Sequence, residues 1–416
     1  MLVNIPKLVK NFTHHHKTVL NLSLAQVVSR FARSLQYMIF PVIIMSLYNE
    51  WIAGLAVAAL TVFQIFFADP LGGALSDKIG AKKTMQLSAL SMAMSGIIWF
   101  IMGTTALSMA ISGIFLFLGI SLNTIETYIL KITPKDEGGV AFGIEGNVSS
   151  VAYFLAAISF PFFLPESMHI WLFGLIIISK IILFFSLSFF PDDAELPKEK
   201  DENNKKSESF LQTCNPYNTF KHGLHFIRMN DFYPILAIGS SLFEGLFYGT
   251  IYFIFPIHFA KMGITGIMEG MELGIYELIT MFIAGYAGYL ADKYDWKHLH
   301  SLGWFFILAG VIAMPFYPGV FGLIIVGLII ALGNNLSYFA ADHVLEEHDI
   351  DHREDGSFMS LRRMVANIGY AIAPILAGFI YIHYGFQISL WYITVLCGLL
   401  AFWMIWQTYQ FEEKDL

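Results

Sequence analysis

Charge is what this chain has least of. Only 13% of its 416 residues are Asp, Glu, Lys or Arg, against roughly 25% in a soluble domain. With 56% hydrophobic residues and a mean hydropathy of +0.62, no soluble fold of this length hides so much apolar surface. A bilayer is the expected solvent. Cysteine is scarce as well. Cys214 falls in the polar middle and Cys397 in an apolar run, so neither a disulfide nor a metal site is read. Lys7, Lys10 and Lys17 are not followed by a short apolar core and a small-residue cleavage site, so no removable signal peptide is read. There is no Gly-rich loop ending in Gly-Lys-Ser/Thr, no His-Glu-x-x-His and no Gly-x-Ser-x-Gly. Those absences argue against an ATP-driven pump or a hydrolase, and no enzyme activity, cofactor or nucleic-acid partner is expected.

Long apolar runs are what the chain has instead. Twelve meet the length of about 20 residues that a membrane helix needs: 20–47, 51–72, 84–104, 107–130, 139–163, 169–190, 232–258, 268–290, 299–317, 319–341, 358–382 and 386–408. The expected fold is therefore all-α. Residues 1–190 form an N-terminal six-helix bundle, 191–231 a linker, and 232–416 a C-terminal six-helix bundle. The linker opens on Pro191-Asp192-Asp193, carries mixed charge through Glu208 and ends in an amphipathic helix, Tyr217 to Met229. That helix is expected on the membrane surface, with Phe220, Leu224 and Ile227 on one side.

The two halves repeat. Tyr37-Met38-Ile39-Phe40-Pro41 returns as Tyr252-Phe253-Ile254-Phe255-Pro256. Gly73-Ala74-Leu75-Ser76-Asp77-Lys78 returns as Gly288-Tyr289-Leu290-Ala291-Asp292-Lys293, and Lys82 returns as Lys297. Every pair is 215 residues apart. Two parallel halves in a very apolar chain mark a duplicated membrane transporter. Orientation follows from Lys and Arg. Of the 24, 20 fall on the side that carries both termini and the linker, one (Lys261) on the other side, and three (Arg30, Arg33 and Lys180) within spans. Both termini are expected in the cytoplasm.

Gly73-x-Leu75-x-Asp77-Lys78-x-Gly80-x-Lys82-Lys83 joins the second and third spans, and Gly288 to Lys297 joins the eighth and ninth. With twelve spans, this pair of loops resembles the signature loop of the major facilitator superfamily and its second copy, and the resemblance covers essentially the whole chain. It implies a latch in which the loop Asp meets the start of the eleventh span when the inner side is shut. Here that start carries Arg362 and Arg363, to which Asp77 is expected to turn. Asp292 is expected to meet the start of the fifth span, near Lys135 and Gly139. A carboxylate gains from a helix N-terminus, and glycines let backbones approach. The latch set is Gly73, Asp77, Lys78, Lys82, Gly288, Asp292, Lys293, Arg362 and Arg363. The bland alternative is that the lysines only enforce topology. Two departures weaken a drug–proton antiporter assignment: Ile111 to Gly119 has no Arg, and Gly146 to Pro161 lacks the Gly- and Pro-rich antiporter motif. A looser version runs from Gly369 to Gly378.

Ionisable groups in hydrocarbon mark pathways or pairs. Glu244 lies near mid-depth of the seventh span, with Tyr248 one turn on. The resemblance places spans one, four, seven and ten around a central cavity, which makes Glu244 a candidate for proton coupling or substrate contact. Arg30 and Arg33 of the first span are expected to pair with Glu126 of the fourth. Lys180 is mid-way along the sixth span, and Glu145 near the end of the fifth reads as interfacial. The cations belong to the N-terminal half, whereas Glu244 and Glu277 belong to the C-terminal half. Such polarity suits a substrate with an anionic end, or a zwitterion. Snorkelling of Arg30 or Lys180 is the alternative. Asn334 and Asn335 in the tenth span serve a substrate or another helix. His348 and His352, in the acidic segment 342–355, read as solvated rather than metal-binding.

These residues imply a secondary transporter of a small organic solute, coupled to protons, in a bacterial cytoplasmic membrane. A monomer is expected. An uncoupled facilitator is the second reading and a non-transporting membrane sensor the third.

Overall fold

The computed structural model describes residues 17–48, 50–133, 138–192, 215–229, 233–262, 267–347 and 355–414. The described residues form helices and turns without strands. Hydrocarbon favours this, since a helix satisfies its own backbone donors and acceptors. The first span is Lys17–Leu47. The second is assembled from Glu50–Phe63, a π segment Gln64–Ala68 and Asp69–Ile79. The third is Ala81–Met102, and the fourth, Ala106–Ser121, resumes after a short break as Ile125–Ile132. The fifth is Gly138–Phe163 and the sixth Glu166–Leu187. A linker helix, Pro216–Met229, precedes the seventh, Pro234–Lys261. The eighth is Ile267–Lys293, the ninth Trp296–Ala313 and the tenth Val320–Glu347.

Eleven helices among the described residues are long and apolar enough to cross a membrane. The last, Phe358–Gln410, has 53 residues; at about 1.5 Å per residue it exceeds two crossings of a ~30 Å hydrocarbon layer. Inside the helix Asp355–Lys414, Gly385 (φ 82°, ψ 177°) breaks the backbone, at an angle open to glycine. It divides the eleventh span from the twelfth, giving the twelve-span, two-bundle fold expected from the sequence.

Aromatic side chains fill each bundle. In the N-terminal bundle Trp99 lies 6.0 Å from Phe40 and 5.1 Å from Phe173, centroid to centroid. In the C-terminal bundle Phe243 lies 5.2 Å from Phe247 and 5.5 Å from Trp304. A third cluster joins them, setting Ala141 and Ile144 with Ala284, Leu336 and Phe339. Lipid tails give no hydrophobic drive for helix association, so small residues at contacts matter. At the fifth–eighth contact a Cβ on Gly143 would stand 2.7 Å from the Ala284 carbonyl oxygen.

Two expectations about segments need correction. The tenth span does not stop near residue 341 but runs to Glu347, taking Asp342 into the buried interior. The linker helix does not present Phe220, Leu224 and Ile227 on one lipid-facing side. Its Phe226 stacks on Phe358 at 4.5 Å, Gly223 sits against Leu361, and Ile227 is buried, while Phe220 and Leu224 are exposed. The helix is thus seated on the start of the eleventh span. Lys135, His348 and His352 lie outside the described residues.

Candidate functional site

A cavity of about 650 Å³ lies between the bundles, within the usual range of about 300–1,000 Å³ for small-molecule sites. Spans one, two, four, five, seven, eight, ten and eleven line it. Its lining runs from Asn123 and Glu126 of the fourth span to Val42 and Gly54, near the opposite ends of the first and second.

The wall from the N-terminal bundle carries two arginines, Arg30 and Arg33, and two carboxylates, Glu126 and Glu145. Arg33 donates to the Tyr153 hydroxyl across a close contact, and its guanidinium carbon lies 5.7 Å from the centre of that ring. Arg30 donates to Gln26 Oε1 at 3.2 Å and forms an ion pair with Glu145, which also accepts from Ser149 Oγ at 2.9 Å. The expected pairing with Glu126 is therefore wrong. One face of the fifth span presents Glu145, Ser149 and Tyr153 toward the first at i, i+4 and i+8 spacing, so Glu145 is a half-buried partner of Arg30 rather than an interfacial carboxylate. Glu126 lies on the same cavity and acts electrostatically on Glu244, Arg362 and Asp342.

Lys180 is not part of this wall. It is buried between the sixth and first spans, where its ammonium donates to the Ser29 carbonyl at 2.7 Å and to Ser29 Oγ at 2.6 Å. A mid-helix lysine here neither snorkels nor lines the cavity; it bridges two helices inside the bundle.

The opposite wall is acidic and aromatic. The side chain of Asn334 lies beside Glu244 and Tyr248 on this wall. Its Oδ1 is buried without a donor. Tyr248 and Tyr252 stack at 5.5 Å, and Tyr276 meets Tyr248 edge-on at 5.8 Å. Glu277 accepts from Ser150 Oγ of the fifth span at 2.6 Å. Asn335 donates to Thr280 Oγ1 at 2.8 Å and to the Ala331 carbonyl at 2.7 Å. Thus Arg30, Arg33, Glu126, Glu244, Tyr248, Glu277, Asn334 and Asn335 meet around one cavity, whereas Lys180 stands apart.

Below the cavity, on the face that carries the termini, the bundles are joined. Asp292 accepts from the N–H groups of Gly139 (3.1 Å) and Val140 (2.9 Å) at the start of the fifth span, with His343 Nδ1 at 3.0 Å. Gly288 packs directly against the Gly139 carbonyl. Lys293 is exposed and donates to Tyr289 at 3.0 Å. In the other loop Gly73 is buried, while Asp77 and Lys78 are exposed. Lys82 turns into its own bundle, donating to the Phe190 carbonyl at 2.6 Å and pairing with Asp192 at 2.8 Å. Asp77 is not the partner of Arg362. That arginine turns into its own bundle, donating to Asp342 at 2.6 Å and Ser241 at 2.8 Å, with the Tyr338 ring 4.3 Å away. Arg363 instead reaches the Ser121 carbonyl of the fourth span at 2.7 Å.

Sequence reading missed Tyr153, Asp342 and Asp69 at this level. Asn334, Tyr338 and Asp342 share one helix face at i+4 spacing, and that spacing was a usable signal for Asp342. The Asp69-Pro70 pair ahead of the first loop motif was the corresponding signal for Asp69.

Comparison with known proteins agrees with this architecture. Residues 22–352 match the family profile described as Major Facilitator Superfamily. The tetracycline resistance protein, class H, of Pasteurella multocida is 22% identical over 363 residues, covering 87% of this chain and 86% of that protein. The human organic anion transporter MFSD10 superimposes with a TM-score of 0.72 at 17% identity, over 93% of this chain and 98% of its own. The proton:xylose symporter XylE, bound to 6-bromo-6-deoxy-D-glucose, gives 0.70 at 15% identity, over 95% of this chain and 96% of its own. At these identities the two solved structures speak to the fold. The chain belongs to the Major Facilitator Superfamily and is a multi-pass membrane transporter.

Proposed function

We propose that this protein moves a small organic solute carrying both a basic and an acidic group, by alternating access, and that proton movement through Glu244 drives it. The observation that carries this reading is the bipolar cavity: Arg33 on one wall, Glu244 and Glu277 on the other. A desolvated charge in a membrane cavity needs an opposite charge or a hydrogen-bonding partner. A solute with an anionic end for Arg33 and a cationic end for the acids supplies both. The stacked tyrosines offer ring faces to the cationic end. The named solutes of the relatives, a drug, organic anions and a sugar, are all small organic molecules.

Lysine and arginine distribution supports a cytoplasmic terminal face. In this arrangement that face is sealed by Asp292 and Arg363, and the cavity lining extends toward the other side. We read it as an outward-facing state in a bacterial cytoplasmic membrane. Rocking of one bundle against the other exchanges it with an inward-facing state, the populations set by solute and proton.

The test is a thermal-shift screen of purified protein against metabolites, antibiotics and siderophores at pH 6 and pH 8, with Glu244→Gln alongside. A ligand of the native state raises the melting temperature. A hit whose shift depends on pH in wild type and not in Glu244→Gln supports the coupling role. An identical pH dependence in both proteins removes Glu244 from coupling, and a pH-independent hit favours an uncoupled facilitator.

A further inference from the structure

The two loop motifs occupy matching places in the repeat. Asp292 is seated on the start of the fifth span, whereas Asp77 is exposed. Eight residues before Asp77, about 12 Å along a helix, the second span holds a buried carboxylate, Asp69, with 1% of its surface exposed.

Its position follows from the local backbone. The π segment Gln64–Ala68 closes with the Asp69 N–H bonded back to the Gln64 carbonyl, five residues earlier. Pro70 has no N–H to give, so the α-helical ladder is already interrupted there. A π turn holds one extra residue, which rotates the rest of the helix by about 100° relative to an unbroken one. Asp69 then faces the fourth and eleventh spans together.

Three side chains of the eleventh span lie on one helix face at spacings of three and four residues: Ser360, Arg363 and Asn367. Ser360 Oγ donates to the Asp69 carbonyl oxygen at 2.7 Å, and Asn367 Nδ2 donates to Asp69 Oδ2 at 2.7 Å. Ser121 Oγ of the fourth span donates to Asp69 Oδ1 at 2.6 Å. Arg363 Nη1 reaches the Ser121 carbonyl at 2.7 Å, and Gly72 packs against the same oxygen. Asp69 and Ser121 thus form one acceptor group in the N-terminal bundle for three donors of the C-terminal bundle. Gln64, Arg363 and Asn367 of this knot also line the cavity.

We propose that Asp69 is a positioning residue that holds the second and eleventh spans together and sets how readily the terminal face opens. Ser121 alone would suffice to anchor Asp69 within its own bundle. The bonds from Ser360 and Asn367 cross to the other bundle and must break when the bundles part. Because two donors of the knot face the cavity, a solute at the floor competes for them, which ties cavity occupancy to the gate. This inference rests on the alternating-access reading, not on the solute or the coupling ion.

The test uses purified full-length protein in nanodiscs, with Cys214 and Cys397 replaced by serine and spin labels on cysteines at Lys83 and His298. Those sites start the third and ninth spans on the terminal face, one in each bundle. Double electron–electron resonance then reads the share of molecules with that face open. Asp69→Ala is expected to raise the open share relative to the closed by about tenfold, the worth of one hydrogen bond to a charged group. Ser360→Ala with Asn367→Ala is expected to do the same, while leaving Asp69 bonded to Ser121, and this pair keeps the test alive if Asp69→Ala folds poorly.

An unchanged distance distribution in both knot variants, with or without a lower melting temperature, overturns the proposal. Asp292→Ala separates this failure from failure of the underlying reading. If it opens the face while the knot variants do not, the assignment of Asp69 is wrong and alternation stands. If no variant yields a second population, alternating access itself is wrong.

Discussion

Among the described residues each bundle holds an internal arginine–carboxylate pair, and the two pairs face different ways. Arg30 and Glu145 of the N-terminal bundle line the cavity. Arg362 and Asp342 of the C-terminal bundle lie behind it, both almost fully buried, packed on Tyr338 and Ser241. The chemistry is the same and the surroundings are not. An ion pair sealed in protein gains full Coulombic attraction and leaves an uncompensated charge when broken. A pair at a cavity wall has water, or a solute, to take a partner's place. The C-terminal pair is therefore a fixture of the bundle, whereas the N-terminal pair lines the cavity of the proposed solute site.

The largest effect is expected at the sealed pair. Asp342→Ala strands the Arg362 guanidinium and should cost about 3–5 kcal/mol of unfolding free energy in detergent. Glu145→Ala should cost clearly less, about 1–3 kcal/mol, because Arg30 lies on the cavity wall and keeps Gln26 as a partner. Its main effect should be loss of the thermal shift given by an identified solute. Equal stability losses at the two sites would erase the distinction. Asp292→Ala comes next. It removes two charge-assisted hydrogen bonds to Gly139 and Val140, about 2 kcal/mol. That loss falls on the closed state, so the terminal face opens more often while the fold survives.

The smallest effect is at Asp192, outside the spans. The hydrogen bond from Lys82 and its charge, with Lys83 adding to it, hold this carboxyl below its ordinary value. A carboxylate whose folded pKa is depressed stabilises the fold above its unfolded pKa and loses that contribution as pH falls through the folded value. Asp192→Asn should therefore be slightly less stable than wild type at pH 7, and the gap should close in acid below the normal carboxylate range. A gap that widens in acid would show the pairing with Lys82 to be absent. The group is exposed, so the difference is small.

The fold was readable because hydrocarbon imposes it. Length and apolar content mark each crossing, and the offset of 215 residues between the halves required no side-chain detail. The residues that meet around the cavity were readable where a charge stands alone in an apolar run, as with Arg33, Glu244 and Glu277. Pairings were not readable, since they depend on how helices are rotated. Arg30 turns to Glu145 rather than Glu126 because the fifth span presents Glu145, Ser149 and Tyr153 in succession. Lys180 looks like a cavity cation by depth alone, yet the sixth span turns it onto Ser29, inside the bundle. Asp69 depends on a π turn, which rotates a helix without changing its hydropathy.

The bipolar cavity is the central claim, and a matched solute series tests it most directly. Take a zwitterionic hit from the thermal-shift screen, its carboxyl methyl ester and its N-acetyl derivative. Measure the melting temperature of wild type, Arg33→Gln and Glu277→Gln with each. A bipolar site predicts that only the zwitterion stabilises wild type strongly, and that the ester loses nothing further in Arg33→Gln. The N-acetyl derivative should likewise lose nothing further in Glu277→Gln. Equal stabilisation by all three compounds, unchanged in both variants, would contradict it.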